Sequence, residues 1–99
     1  MSFKSINPAT GQLMLEIPVW DTTQIEATLK QVAAATPDWA ATTILQRAEG
    51  MQRAAAILRA RRDVYARLIT EEMGKLLKEA RAEVDKCALA CDYYAAHAP

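Results

Sequence analysis

Hydrophobic positions in this chain first alternate and then change period. From Gln12 to Val19, the residues Leu13, Leu15, Ile17 and Val19 fall on one face, with Gln12, Met14 and Glu16 on the other. That alternation predicts a half-buried strand. Phe3 to Ile6 predicts a short strand before it. Between the two, Asn7-Pro8-Ala9-Thr10-Gly11 carries turn chemistry: Asn-Pro opens a turn, and Gly11 takes the positive φ that closes it. Pro18 cannot donate to a ladder, so the second strand lies at an edge or stops there. The expectation is a two-stranded hairpin over residues 1–20, marginal in water on its own.

From residue 21 onward the period becomes helical. Asp21 with Gln24 has the spacing of a capping box, and Ile25, Leu29, Val32 and Ala33 form the stripe expected to be buried. Glu26 and Lys30 are spaced for an ion pair on the wet side. Pro37 disfavours helix at Thr36 and is expected to end this first helix, leaving Trp39 in the connection as a plug over the core. Thr43 with Gln46 repeats the capping pattern. The helix they open runs from Ile44 to about Ala60, with Ile44, Ala48, Met51, Ala55 and Leu58 in one row. Gly50 inside it marks close helix approach or simple tolerance. Asp63 is the expected cap of a third helix that buries Val64, Tyr65, Leu68, Ile69 and Met73 and ends at Gly74.

After Lys75 a long helix is predicted from Leu76 to about Ala96. Its apolar seam is Leu77, Ala80, Val84, Cys87, Cys91 and Tyr94, at steps of three and four. Arg81 with Asp85, and Glu83 with Lys86, are expected to decorate the outside. The fold class is therefore mainly α: a β-hairpin over 1–20, then about four helices over 21–99.

Composition narrows the functional classes. Ninety-nine residues make one domain's worth or less, and 52% of them are hydrophobic, but alanine supplies much of that and buries little area. Twelve basic and twelve acidic side chains cancel, which leaves no electrostatic footprint for nucleic acid or an anionic membrane. Arg59, Arg61 and Arg62 complement a helix C-terminus rather than a phosphate backbone. There is no apolar run long enough for a membrane span and no signal-peptide build, and two cysteines in that setting read as free thiols. The expected compartment is the cytoplasm.

Catalytic chemistry is sparse. The one histidine, His97, stands in a terminal tail, without the base role a nucleophile needs. Cys87 and Cys91 lack a second pair of metal ligands and read as core thiols. Glu79 and Glu83 share a helix face that reads as solvation. No phosphate-cradling glycine loop is present.

Several stretches together resemble the N-terminal segment of the aldehyde dehydrogenase superfamily. Ile6-Asn7-Pro8-Ala9-Thr10-Gly11 resembles the family's opening turn, and Gln46-Arg47 resembles the start of its next helix. Leu68-Ile69-Thr70-Glu71-Glu72-Met73-Gly74-Lys75 is similar to its L-x-T-x-E-x-GK stretch, followed at the family's spacing by Glu79-Ala80, Glu83-Val84 and Asp92-Tyr93-Tyr94-Ala95. The stretches around Gly74-Lys75, Arg81–Lys86 and Cys91–Pro99 look closest to bacterial NAD(P)-dependent succinate-semialdehyde dehydrogenases. Leu76 replaces the proline that often follows Gly-Lys.

The resemblance implies that residues 1–99 form the N-terminal portion of the cofactor-binding domain of a longer α/β enzyme. That enzyme would use NAD or NADP, act on a small aldehyde and be a homo-oligomer. The family's nucleophile, general base and nicotinamide-binding glycines lie in parts absent here. Cys87 and Cys91 lack the Gly-Gln-x-Cys surroundings of the nucleophile. The chain alone is thus expected to be inactive, to bind no dinucleotide, and to have the remainder of the dehydrogenase as its partner. The resemblance further implies a monovalent cation site using Ser5, Ile6 and Glu72. The competing reading is a self-sufficient helical interaction module that binds a partner helix.

Overall fold

Local signals set most of the element boundaries. In the computed structural model, which describes residues 1–99, the order is β1 (Ser2–Ile6), β2 (Leu13–Pro18), α1 (Thr22–Ala40), α2 (Ile44–Ala60), α3 (Arg62–Met73) and α4 (Leu77–His97). The strands pair antiparallel with Phe3 opposite Ile17 and Ser5 opposite Leu15; the register then shifts, so that Ile6 faces Leu13. Met14 is the extra residue, a one-residue bulge that bends the ribbon.

Both capping boxes form. Asp21 accepts the Gln24 backbone N–H at 2.8 Å while Gln24 accepts that of Asp21 at 3.0 Å. Thr43 and Gln46 make the same exchange at 3.1 and 2.8 Å. Each satisfies two donors that a bare helix start would leave orphaned.

Pro37 does not end α1, contrary to expectation; it lies inside the helix, which runs on to Ala40. Proline in the final turn loses one hydrogen bond, but its carbonyl still accepts the Ala41 N–H at 3.0 Å, and one lost bond does not outweigh the ladder before it. Trp39 consequently sits on the helix and is 62% exposed, so it plugs nothing. Glu26 and Lys30 form no ion pair. Asp63 does not cap α3, whose N-cap is Arg61 without a side-chain bond. The Asp63 carboxylate is drawn instead to Arg81 on α4, at 3.0 Å.

The core is the interface of α4 with α2 and α3. Six residues are buried: Ala55, Ala66, Ala80, Val84, Ala88 and Ala95. Leu58, Tyr65 and Ile69 pack around Ala66, Ala80 and Val84. The α4 seam is therefore rotated from the one expected. Ala88 is buried, Cys91 is half-buried and Cys87 is exposed, so Cys87 is not a core thiol. Alanine lets helix backbones approach closely, and the residue before Ala88 is turned about 100° away from the contact. Bulkier residues such as Leu77 and Tyr94 stay at the rim.

Elsewhere the expected burial does not occur. α1 buries no residue, so Ile25, Leu29 and Val32 lie open, as do Leu13, Leu15 and Ile17 on the hairpin and Val64, Leu68 and Met73 on α3. The molecule is a slab of 46 × 40 × 16 Å with a radius of gyration of 17.7 Å, against about 13 Å for a compact chain of this length. Gly50 fits the tolerance reading, since a side chain there would meet only the tip of Arg53. No helix is long and apolar enough to cross a membrane.

Candidate functional site

The hairpin turn and the α3–α4 corner meet, and this junction gathers the residues of the candidate site. Asn7 organises the turn: its Oδ1 accepts the N–H of Ala9 at 2.9 Å and of Thr10 at 3.3 Å, its own N–H donates to Gln12 O, and Gly11 N–H donates back to Asn7 O at 2.8 Å. Gly11 adopts φ +72°. These bonds make an Asx turn around Pro8.

At the corner, Gly74 ends α3 in the left-handed conformation and its N–H donates to Thr70 O at 2.9 Å. A Cβ on Gly74 would stand 3.1 Å from Pro8 Cγ. The Asn-Pro turn and the Gly-Lys corner are therefore in van der Waals contact. Ser5 Oγ donates to Glu72 Oε1 at 2.8 Å, joining positions 67 apart in sequence. The structure thus brings Ser5 and Glu72 together, with Ile6 beside them at the bulge.

Charge around the corner is unevenly balanced. Glu71 pairs with Arg67 at 2.7 Å, and that hydrogen bond and charge push the Arg67 guanidinium above its ordinary value. Lys75 pairs with Glu83, whose hydrogen bond is the main cause of its raised pKa. Lys75 therefore stays an ammonium and cannot serve as a base. Glu72 has no basic partner, and α3 has no basic residue in its last turn. An unpaired carboxylate at the negative end of a helix dipole is electrostatically unfavourable, and a nearby cation relieves it. Hard cations take such oxygens.

The remaining polar residues brace the helices. Arg59 meets Asp92 at 2.5 Å, Arg62 meets Asp85 at 3.2 Å, and Arg81 meets Asp63. These pairs run between helices, correcting the expected partnerships of Arg81 with Asp85 and of Glu83 with Lys86. Single-sequence spacing cannot reveal them, because a helix offers each charge several neighbours and the third dimension decides.

The other candidates form no reactive constellation. His97 stacks on Tyr93, ring centroids 4.1 Å apart, with Nδ1 2.7 Å from the Tyr93 carbonyl oxygen. Neither thiol joins it. No group of three or more His, Cys, Asp or Glu side chains gathers to hold a metal. Of the three glycines, Gly11 is in the hairpin turn, Gly50 is mid-helix and Gly74 is a C-cap, so none of them opens a helix toward a phosphate.

Residues 1–99 match the family model described as the aldehyde dehydrogenase family. The chain is 46% identical over 95 residues to the succinate semialdehyde dehydrogenase [NAD(P)+] Sad of Escherichia coli (strain K12), covering 96% of this chain and 21% of that protein. It is 37% identical over 97 residues to the NADP(+) succinate-semialdehyde dehydrogenase of Deinococcus radiodurans, covering 98% and 20%. Among solved structures, it is similar to the succinic semialdehyde dehydrogenase from Streptococcus pyogenes in complex with NADP+, with TM-score 0.86 and 32% identity over 95% of this chain and 21% of that one. The chain thus spans about a fifth of the length of these relatives. With the Asn-Pro turn seated on the Gly-Lys corner and a family match running from the first residue to the last, the chain belongs to the aldehyde dehydrogenase family.

Proposed function

We propose that this chain is the N-terminal portion of the cofactor-binding domain of an NAD(P)-dependent aldehyde dehydrogenase that oxidises succinate semialdehyde to succinate in the cytoplasm as a homo-oligomer. The observation that carries the reading is the match across residues 1–99 together with the names of the relatives. In the whole enzyme a cysteine thiolate adds to the aldehyde, hydride leaves for NAD(P)+, and water releases the acid from the resulting thioester. None of those groups belongs to these 99 residues. Their part is scaffold, and the flat slab with its sparse alanine core fits a segment that completes its packing against other elements.

The reading includes a monovalent cation at the hairpin–corner junction, held by backbone oxygens of Ser5 and Ile6 and by the Glu72 carboxylate. The Ser5–Glu72 contact and the lack of a basic partner for Glu72 support it. With only part of a coordination shell, the 99-residue chain binds potassium weakly; tight calorimetric binding to it would contradict this.

The test of the whole reading is NAD(P)H formation, followed by absorbance with succinate semialdehyde as substrate. A longer chain that continues through the family's Gly-Gln-x-Cys stretch turns over, and the 99-residue chain does not. Turnover by the short chain, or none by the long one, overturns the assignment.

A further inference from the structure

The two acids that close α3 are treated differently by their surroundings. Glu71 has Arg67 as its ion-pair partner. Glu72 has no such partner, and its one hydrogen bond comes from the Ser5 hydroxyl, which donates to Oε1 at 2.8 Å. α3 ends one residue later at Met73 with no basic residue in its last turn, so the Glu72 carboxylate stands at the negative end of the helix dipole. A neutral hydroxyl supplies that carboxylate with a proton to share but with no charge to balance it.

The hydroxyl also spans a particular gap. Two contacts seat the hairpin on the α3–α4 corner: the Ser5–Glu72 bond and the meeting of Pro8 with Gly74. Only the first is polar, and it runs from β1 to α3. A cation shared between hairpin oxygens and Glu72 has to enter the same gap and draw on the same carboxylate. Ser2 and Glu16 make a similar bond at 2.5 Å, but both lie on the hairpin, and Glu16 is on a strand rather than at a helix end.

We infer that the Ser5 hydroxyl is a built-in competitor of the cation: it ties Glu72 to the hairpin in cation-free solution and must yield that bond before a monovalent cation enters. The inference rests on the cation reading above and adds an autoinhibitory contact to it. Ser5 then has two opposed parts, its backbone oxygen holding the cation and its side chain holding it off.

Amide NMR shifts of the 99-residue chain, followed as potassium chloride replaces choline chloride at constant ionic strength, read the binding. Ser5→Ala removes the competing proton and keeps the backbone oxygens, so potassium binds roughly tenfold more tightly, the low end for a hydrogen bond to a charged group. Ser5→Thr keeps the hydroxyl and the wild-type affinity, while Ser5→Val, of the same shape without the hydroxyl and suited to a strand, behaves as Ser5→Ala. Ser2→Ala leaves the affinity unchanged. Glu72→Gln separates the inference from the reading beneath it. If Glu72→Gln abolishes binding while Ser5→Ala and Ser5→Val bind no more tightly than wild type, the competing role is overturned and the cation site stands. If Glu72→Gln binds potassium as wild type does, or if neither wild type nor the two hydroxyl-free variants shows a saturable shift, both fall.

Discussion

Replacing Gly74 by alanine tests the seating of the hairpin on the corner. Two separable costs arise. Gly74 has φ +72° and ψ 14°, where a Cβ costs about 1–2 kcal/mol. The new Cβ also comes within 3.1 Å of Pro8 Cγ, tighter than an ordinary contact, so Pro8 and the turn behind it must retreat. Gly11 supplies the internal control: it has the same φ of +72° but nothing within 4 Å of a would-be Cβ. Gly11→Ala therefore carries the conformational cost alone, while Gly74→Ala carries that plus about 1 kcal/mol for displacing the turn, at the low end of overpacking costs. Urea unfolding followed by circular dichroism, at one fixed protein concentration, measures both. In a double-mutant cycle, Pro8→Ala recovers the steric part from Gly74→Ala and nothing from Gly11→Ala. A Gly74→Ala loss no larger than that of Gly11→Ala would refute the contact.

Two further outcomes are expected. Thr70 Oγ1 is buried without a hydrogen-bond partner, so Thr70→Val raises stability by about 1 kcal/mol in the same urea assay; a loss would mean the hydroxyl has a partner. Lys75 holds its proton more tightly folded than unfolded because of Glu83. Its contribution is thus fully present below pH 10.5 and lost as pH rises through the raised folded value. The stability difference between wild type and Glu83→Gln is then constant through neutral pH and shrinks above 10.5, as denaturant midpoints across alkaline pH will read; a difference that persists undiminished there would refute it.

What the sequence made legible was local. The two capping boxes, the Asn7–Gly11 turn, the positive φ at Gly11, the end of α3 at Gly74 and the order of elements each depend on residues within about one turn of one another, where spacing and geometry coincide. Pro37 misled because its local preference is weaker than the ladder of a long, well-capped helix. The buried stripes misled for a different reason. Amphipathic periodicity reports that a face is apolar, not that something in the same chain covers it, and α1 shows both halves of that statement. On α4 the choice between Cys87 and Ala88 turned on how close alanine lets helices come. The resemblance implied a cation site drawing on Ser5, Ile6 and Glu72 but not the hydrogen bond between the Ser5 and Glu72 side chains, and the Arg59–Asp92, Arg62–Asp85 and Arg81–Asp63 pairs had no linear signature.

The link from Ser5 to Glu72 also sets an order of events during synthesis. The hairpin leaves the ribosome before its anchor, which is made 67 residues later. At typical elongation rates that gap is about 3–13 seconds, while a hairpin closes in about 1–10 microseconds. For all of that interval the nascent chain carries an apolar two-stranded ribbon with both edges unpaired and no corner to dock on. The hairpin is made well before the corner that places it, and that interval is when its apolar faces are most exposed to wrong partners.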